Sequence, residues 1–170
     1  MAPPRAALSV DVEFFSHLPA YRGASGTADR EAVGLDGLEY LLDAFADTGH
    51  TGTFFTVSDI ARTHAEHVRR IAERNELASH THTHRHLSEL PPDERRAELS
   101  DSKELLETVS GATVRGFRAP SFDFADDHFD VLAGLGYEYD SRNLPCRSIG
   151  GCQGGAYDLG SRVAANAVHP

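Results

Sequence analysis

Several residue types are scarce in this sequence of 170 residues. It contains no tryptophan, one methionine and two cysteines, and Lys103 is the only lysine among its sixteen lysine and arginine residues. No apolar run approaches the roughly 20 residues that a membrane-spanning helix needs. Residues 1–7 lack the apolar stretch of a secretory signal. The sequence therefore predicts a cytoplasmic protein without a membrane span.

Positive charge is scarce as well. The net charge is −10 at pH 7, which argues against a nucleic-acid partner, because phosphate binding needs clustered cations. Apolar residues make up 40% and charged residues 25% of the chain, as in ordinary soluble globular proteins. The length suits one domain with one core, so residues 1–170 are predicted to form a single domain. The oligomeric state cannot be inferred from the sequence.

The two cysteines, Cys146 and Cys152, lie six positions apart in a glycine-rich stretch. In a cytoplasmic protein, two cysteines are more often free thiols than a disulfide. A two-cysteine metal site would need further ligands nearby, and the surrounding sequence offers none. Free thiols are therefore expected, although the sequence leaves a pairing between the two open.

Strand-like and helix-like segments alternate along the chain. Leu35, Leu38, Leu42 and Phe45 share one face of a predicted helix that can end at Gly49. Alternation at period two and β-branched or aromatic residues indicate strands, and proline, acidic residues and glycine mark the ends of helices. The predicted strands are residues 7–12, 53–57, 77–79, 114–118 and 137–140, and the further predicted helices are residues 65–74, 91–110 and 126–135.

This alternation predicts an α/β protein with a mainly parallel sheet covered by helices. The pattern alone leaves both an open sheet and a barrel possible. In either architecture, functional side chains gather at the carboxyl ends of the strands. The residues that follow each predicted strand are therefore the candidates for chemistry.

Asp11 and Glu13 lie at the end of the first predicted strand. Alternate side chains of a strand share a face, so both carboxylates point the same way, while Val10 and Val12 point the other way. Two neighbouring carboxylates repel each other unless a cation or a shared proton is present. The alternative is a strand end whose acidic side chains simply reach water.

Four of the ten histidines, His80, His82, His84 and His86, fall within seven residues after the third predicted strand. Neutral imidazole is the commonest metal ligand, and two histidines spaced i, i+4 can meet one ion if the segment turns helically. His80 with His84 and His82 with His86 have this same spacing, so spacing does not choose between them. A surface loop with coincidental histidines is the alternative.

Other histidines lie on predicted helices. His64 and His67 sit on a charged helix and are expected to be solvated. His128 is also expected to face solvent, because Phe129, Leu132 and neighbouring residues define the buried side of its helix.

Arg118 lies at the end of the fourth predicted strand, before a loop that Pro120 stiffens. An arginine in this position can hold a carboxylate in a bidentate grip. The string Arg-x-Pro is common, so this motif is weak when taken alone.

Taken together and in this order, the three segments resemble the polysaccharide deacetylase family, also called the NodB-homology domain. The similarity runs over residues 8–141. It implies an irregular (β/α) barrel, which a chain of this length could hold in a shortened form. It also implies hydrolysis of N-acetyl or related C–N bonds with a bound divalent metal, for which Zn²⁺ is the expected ion.

The resemblance also chooses between the histidines. Residues 75–80 look like the lead-in to the His-x-x-x-His motif of the family, which implies that His80 and His84 bind the metal and that His82 and His86 do not. Many members carry two adjacent aspartates at the first motif. This sequence has Asp-Val-Glu and is similar to a branch in which the two residues lie two positions apart. Asp11 would then be the catalytic base and Glu13 the third metal ligand.

The later motifs imply further roles. Arg118 matches the arginine that orients the catalytic aspartate. Pro120, Ser121 and Phe122 match the loop in which a backbone N–H stabilises the oxyanion.

Asp140 lies within residues 136–141, which look like the fourth motif, whose aspartate supports a catalytic acid. That acid would be His169, 29 residues further on and closer than is usual in the family. Asp140 is therefore expected to lie near His169.

The expected function is removal of N-acetyl groups from an N-acetylated sugar or polysaccharide. Two alternatives stay open. One is hydrolysis of another non-peptide C–N bond, such as that of a cyclic ureide or imide. The other is a catalytically impaired carbohydrate-binding module. Neither the particular substrate nor the metal used in the cell follows from the sequence.

Overall fold

The computed structural model describes residues 6–23, 31–123 and 125–141. These residues form one parallel β-sheet and six helices. The strands are β1 (Ser9–Val12), β2 (Thr53–Thr56), β3 (Glu76–Ser79), β4 (Gly116–Phe117) and β5 (Tyr139–Asp140). The helices are α1 (Pro19–Arg22), α2 (Glu31–Thr48), α3 (Ile60–Thr63), α4 (Ala65–Arg74), α5 (Pro92–Ser110) and α6 (His128–Gly134). Short 3₁₀ turns lie at Phe15–His17, Leu87–Glu89 and Pro120–Phe122.

The five strands lie in the order β1-β2-β3-β4-β5, and each pairs in parallel with the next. A doubly wound sheet reverses its strand order at a switch point, whereas a (β/α) barrel adds every strand on the same side. The sequential order is therefore that of a barrel. It also brings the carboxyl ends of all five strands to one edge.

The boundaries of the helices follow local sequence signals. The predicted helix from Leu35 is part of α2, with Leu38 and Leu42 buried, and Gly49 follows it with a φ of +69°. Helix α5 begins with a proline in its first turn and ends before Gly111, whose φ is +72°. Positive φ is readily adopted by glycine, and for this reason it commonly ends helices. The predicted strand at 114–118 is shorter in the structure, because only Gly116–Phe117 form ladder pairs.

The two faces of the sheet have different surroundings. One face packs against the helices, where Phe54, Leu77 and Phe117 are almost fully buried and contact a core that includes Leu99 and Leu106 of α5. The opposite face carries Asp11, Phe55, Ala78 and Arg118 in the positions that alternate with this core. The core-facing residues stabilise the fold, so positions on the opposite face can carry polar side chains such as Asp11 and Arg118 beside the apolar Phe55 and Ala78.

None of the helices within the described residues is long and apolar enough to span a bilayer.

Gly116 provides a test of packing on the face of the sheet that carries Asp11 and Arg118. A Cβ at this position would overlap the phenol of Tyr139, so we expect Gly116→Ala to destabilise the protein by about 1–3 kcal/mol, the usual cost of overpacking. Gly37, within α2, has open space around the same position. Gly37→Ala should therefore stabilise the protein by about 0.5–1 kcal/mol, because glycine is unfavourable within helices. Urea denaturation of both variants would measure these differences, and equal stability of the two would contradict the described packing.

Candidate metal centre

Three candidate ligands come together at the carboxyl edge of the sheet. Glu13 follows β1, His80 follows β3, and His84 lies four residues beyond His80. Their ligand atoms all lie within 4.8 Å of one another. Oε2 of Glu13 contacts Nε2 of His84 and lies 3.9 Å from Nε2 of His80. One carboxylate oxygen therefore lies close to two imidazole nitrogens, as around a shared cation.

Backbone carbonyls orient both imidazoles. Nδ1 of His80 lies 2.7 Å from the carbonyl oxygen of Arg118, and Nδ1 of His84 lies 3.2 Å from that of His17. A carbonyl only accepts hydrogen bonds, so each Nδ1 must carry the proton. A neutral imidazole with its proton on Nδ1 carries its lone pair on Nε2, and both Nε2 atoms face the cluster, as in known histidine metal sites.

The donor set fits a divalent cation. Oε2 of Glu13 is buried, and none of the described residues gives it a hydrogen bond of acceptable geometry. The side chains of both histidines are only 3% exposed, so their Nε2 atoms have little contact with bulk water. Two imidazoles and one carboxylate are the ligands of many catalytic zinc sites. Glu13, His80 and His84 could therefore hold Zn²⁺ or a similar ion.

Burial and charge act on the ionisation of these groups. Burial raises the pKa of Glu13, but contact with His84 and the charges of His80 and His17 outweigh it, so the pKa lies below its ordinary value. Burial lowers the pKa of His80. Burial and the charge of His84 also lower the pKa of His17. The lowered pKa values favour an ionised Glu13 carboxylate and a neutral His80 ring, and these are the forms that bind a metal.

The segment between the two histidines is not helical. Thr81 and His84 have left-handed backbones, with φ of +67° and +60°, and Oγ1 of Thr81 accepts a hydrogen bond from the amide of His84 at 3.0 Å. The i, i+4 spacing was expected to work through a helical turn. The rings meet because the chain makes a tight non-helical turn.

The structure separates His82 and His86 from the cluster. Nδ1 of His82 lies 2.7 Å from Oγ of Ser58, and its Nε2 lies 3.2 Å from the guanidinium of Arg62. His86 Nε2 lies 3.2 Å from Oγ of Ser121. Spacing left two pairs open, and the described contacts favour His80 with His84.

Asp11 and Arg118 form an ion pair beside this cluster. The guanidinium lies 2.5 Å from Oδ1 of Asp11 and donates to Oγ of Ser141 at 2.7 Å and to Oγ of Ser9 at 3.0 Å. The guanidinium carbon, Cζ, also lies 4.0 Å from the ring centre of Phe55. Arg118 is thus fixed by several contacts, and it holds the Asp11 carboxylate in one orientation.

The loop after Arg118 has an unusual backbone. Pro120 is buried, while Ser121 and Phe122 have left-handed φ values of +52° and +55°. Such conformations are costly for residues other than glycine and cluster at functional sites. The amide of Phe122 donates to the carbonyl of Ala119 at 3.0 Å. The amide of Ser121 is therefore the better candidate for binding an oxyanion.

His128 is not where the sequence analysis placed it. The residue is fully buried, its Nε2 lies 2.8 Å from Oδ2 of Asp140, and its ring packs 5.3 Å from that of Phe117. The prediction that His128 faces solvent is wrong, because helix α6 turns this residue toward β4 and β5. The side chain of Asp140 faces α6, on the other side of the sheet from Arg118. His169, with which Asp140 was expected to pair, lies outside the described residues, as do Cys146 and Cys152.

His64 and His67 are partly buried. Nε2 of His67 lies 3.1 Å from a carboxylate oxygen of Glu39 on α2, and the ring of His64 lies 5.6 Å from that of Phe14 in an edge-to-face arrangement. The prediction that both are simply solvated is wrong, because α4 packs against neighbouring elements that the sequence pattern did not show.

His17 is a contributor that the sequence analysis missed. Its carbonyl orients His84, and its ring nitrogen Nδ1 accepts a hydrogen bond from the amide of Phe14 at 2.8 Å. A side-chain pattern gives no signal for a role that belongs to a backbone carbonyl.

Comparison with known proteins identifies the family. The sequence model described as polysaccharide deacetylase matches residues 31–139, which is more than half of the chain. The chain therefore belongs to the polysaccharide deacetylase family. Asp11 and Glu13 lie outside the matched range, so their assignment depends on the geometry at the end of β1.

Solved structures show the same fold. A proposed polysaccharide deacetylase from Mycobacterium smegmatis is 34% identical over 79% of this chain and 49% of its own, with a TM-score of 0.70. A family 4 carbohydrate esterase from Streptomyces lividans, solved with acetate, is 22% identical over 79% of this chain and 59% of its own, with a TM-score of 0.61. A family 4 pseudoenzyme from Bacillus anthracis is 19% identical over 77% of this chain and 40% of its own, also with a TM-score of 0.61.

This chain thus spans between 40% and 59% of the length of these three proteins. The predicted α/β fold of the irregular (β/α)-barrel type is confirmed, and the described residues supply five of its strands.

The geometry predicts which histidines bind a metal. We expect His80→Ala and His84→Ala each to weaken Zn²⁺ binding by more than about 100-fold, beyond the roughly 10–100-fold that loss of an outer partner costs. The matched variants His82→Ala and His86→Ala should bind Zn²⁺ nearly as the wild type does. Competition with a chromophoric chelator would measure all four. Loss of binding in His82→Ala or His86→Ala with retention in His84→Ala would overturn the ligand set.

Proposed function

We propose that this protein is a metal-dependent hydrolase that removes N-acetyl groups from an N-acetylated sugar. The observation that carries the proposal is the cluster of Glu13, His80 and His84 beside the ion pair of Asp11 and Arg118. Membership of the polysaccharide deacetylase family supports this class of substrate. The acetate bound to the Streptomyces lividans esterase fits the expected product.

We assign the metal to Glu13, His80 and His84, with Zn²⁺ as the expected ion. Three protein ligands leave coordination positions for water and substrate. When bound, a divalent ion polarises a carbonyl group and lowers the pKa of a coordinated water. The hydrogen bonds from the two Nδ1 atoms to backbone carbonyls orient the imidazoles so that their Nε2 atoms face the metal position.

Asp11 is the proposed general base. Oδ1 of Asp11 is held by Arg118, and we assign proton acceptance from the attacking water to Oδ2. The arginine is fixed by two serine hydroxyls and an aromatic ring, so it holds the base at one angle without taking the proton itself. Positioning of this kind reduces the entropy that the reaction must lose.

The remaining roles concern the substrate carbonyl and the leaving amine. The amide of Ser121, in the strained turn with Pro120 and Phe122, would donate a hydrogen bond to the developing oxyanion. The leaving amine needs a proton, and His169 remains the residue that the resemblance assigns to this step. The resemblance assigns Asp140 to support His169 in this step. In the structure, the carboxylate of Asp140 contacts His128.

Asp11→Asn tests the assignment of the base. The substitution keeps the shape of the side chain but removes the proton acceptor, so acetate release from N-acetylglucosamine oligomers should fall by about 10²–10⁴-fold. Zn²⁺ content should not change, because Asp11 is not one of the proposed ligands. Ser9→Ala is the control, since it removes a different partner of Arg118 and should lower kcat by less than about tenfold.

Two outcomes would contradict the proposal. Loss of Zn²⁺ from Asp11→Asn would show that Asp11 is a ligand. If the wild-type protein binds Zn²⁺ and hydrolyses a cyclic ureide or imide while releasing no acetate from the oligomers, the chemistry is C–N hydrolysis but the proposed substrate class is wrong.

A further inference from the structure

Two buried polar residues of α5 contact the turn that carries the histidines. Oε2 of Glu98 accepts hydrogen bonds from the amides of His82 and Thr83, both at 2.9 Å. Its Oε1 accepts one from Oγ1 of Thr83 at 2.5 Å. Oγ of Ser102 donates to the carbonyl of Thr81 at 3.0 Å. All these bonds fall on the three residues between His80 and His84.

Burial shows how tightly this contact is made. Glu98 is 7% exposed and Ser102 is fully buried, although both lie on a helix whose other inner residues, such as Leu99 and Leu106, are apolar. A buried carboxylate is costly unless hydrogen bonds satisfy it. Here both oxygens of Glu98 are satisfied by the turn itself. The contact is thus specific to this turn.

The turn needs such support. Thr81 and His84 both have positive φ, a region that residues other than glycine seldom adopt and that persists only where surrounding contacts fix it. The two amides bound by Glu98 lie between these two residues, and the carbonyl bound by Ser102 belongs to Thr81 itself. Loss of these bonds would let the turn relax and move one imidazole away from the other.

We propose that Glu98 and Ser102 are positioning residues for metal binding, which hold the turn of residues 80–84 so that His80 and His84 converge on one cation. This inference rests on the proposed metal centre. Glu98 does not contact the cation in this proposal. It acts on the turn through the length of its side chain and the positions of its two acceptor oxygens.

Substitutions of Glu98 that change either the length or the charge of its side chain, but not both, test the proposal. Glu98→Gln keeps the reach, because its carbonyl oxygen can accept both amides and its NH₂ group can donate to the Thr83 hydroxyl. Glu98→Asp keeps the charge but is shorter by one methylene. We expect Zn²⁺ affinity within about threefold of the wild type for Glu98→Gln and a loss of about 10–100-fold for Glu98→Asp and Glu98→Ala, the scale for outer partners of metal ligands.

A second readout does not require metal or activity. In the metal-free protein, the amides of His82 and Thr83 should exchange with solvent slowly in the wild type and in Glu98→Gln, and rapidly in Glu98→Asp. Circular dichroism would establish that each variant is folded. The matched control is Glu104→Ala, which removes an exposed carboxylate from the same helix and should leave both Zn²⁺ affinity and exchange unchanged.

The outcomes are distinguishable. If the wild type binds Zn²⁺ and folded Glu98→Asp binds equally well, or if Glu98→Asp binds better than Glu98→Gln, positioning by geometry is overturned while the metal centre stands. If Glu98→Ala does not fold, the comparison of Glu98→Gln with Glu98→Asp still decides. A wild-type protein without affinity for Zn²⁺ would overturn the metal centre and this inference together.

Discussion

The partly buried carboxylate of Glu13 sets the main electrostatic constraint at the functional edge of this protein. A carboxylate removed from water is costly unless a partner of opposite charge or a cation stabilises it. His80 and His84 present their Nε2 atoms to it, because carbonyl groups hold their Nδ1 atoms. The fold thus places one carboxylate beside two imidazole Nε2 atoms, an arrangement that a divalent cation would complete.

The parallel topology makes this arrangement possible. Asp11 and Arg118 are 107 residues apart in sequence, yet both lie at the carboxyl edge, since every strand of a sequentially ordered parallel sheet points the same way. The core-facing residues of each strand pack against the helices. The alternate residues are then free to carry charge, which explains how one short strand supports both packing and the proposed chemistry.

Side chains outside the motifs decide the details of the site. The turn between His80 and His84, the candidate metal ligands, depends on two left-handed residues and on contacts from α5. The loop after Arg118 also has two left-handed residues, Ser121 and Phe122. Strained backbones of this kind are stable only where neighbouring elements supply hydrogen bonds and packing. The rigidity of the candidate site is therefore a property of the whole sheet edge.

The sequence alone determined the features that depend on near neighbours. Periodicity gave the order of strands and helices, and alternation continued one residue past β1 predicted that Asp11 and Glu13 share a face, because these patterns reflect local backbone geometry. Tertiary structure decided the rest. Residue spacing could not choose among the histidines or foresee that His128 is buried against Asp140, since those outcomes depend on how α5 and α6 pack across strands distant in sequence.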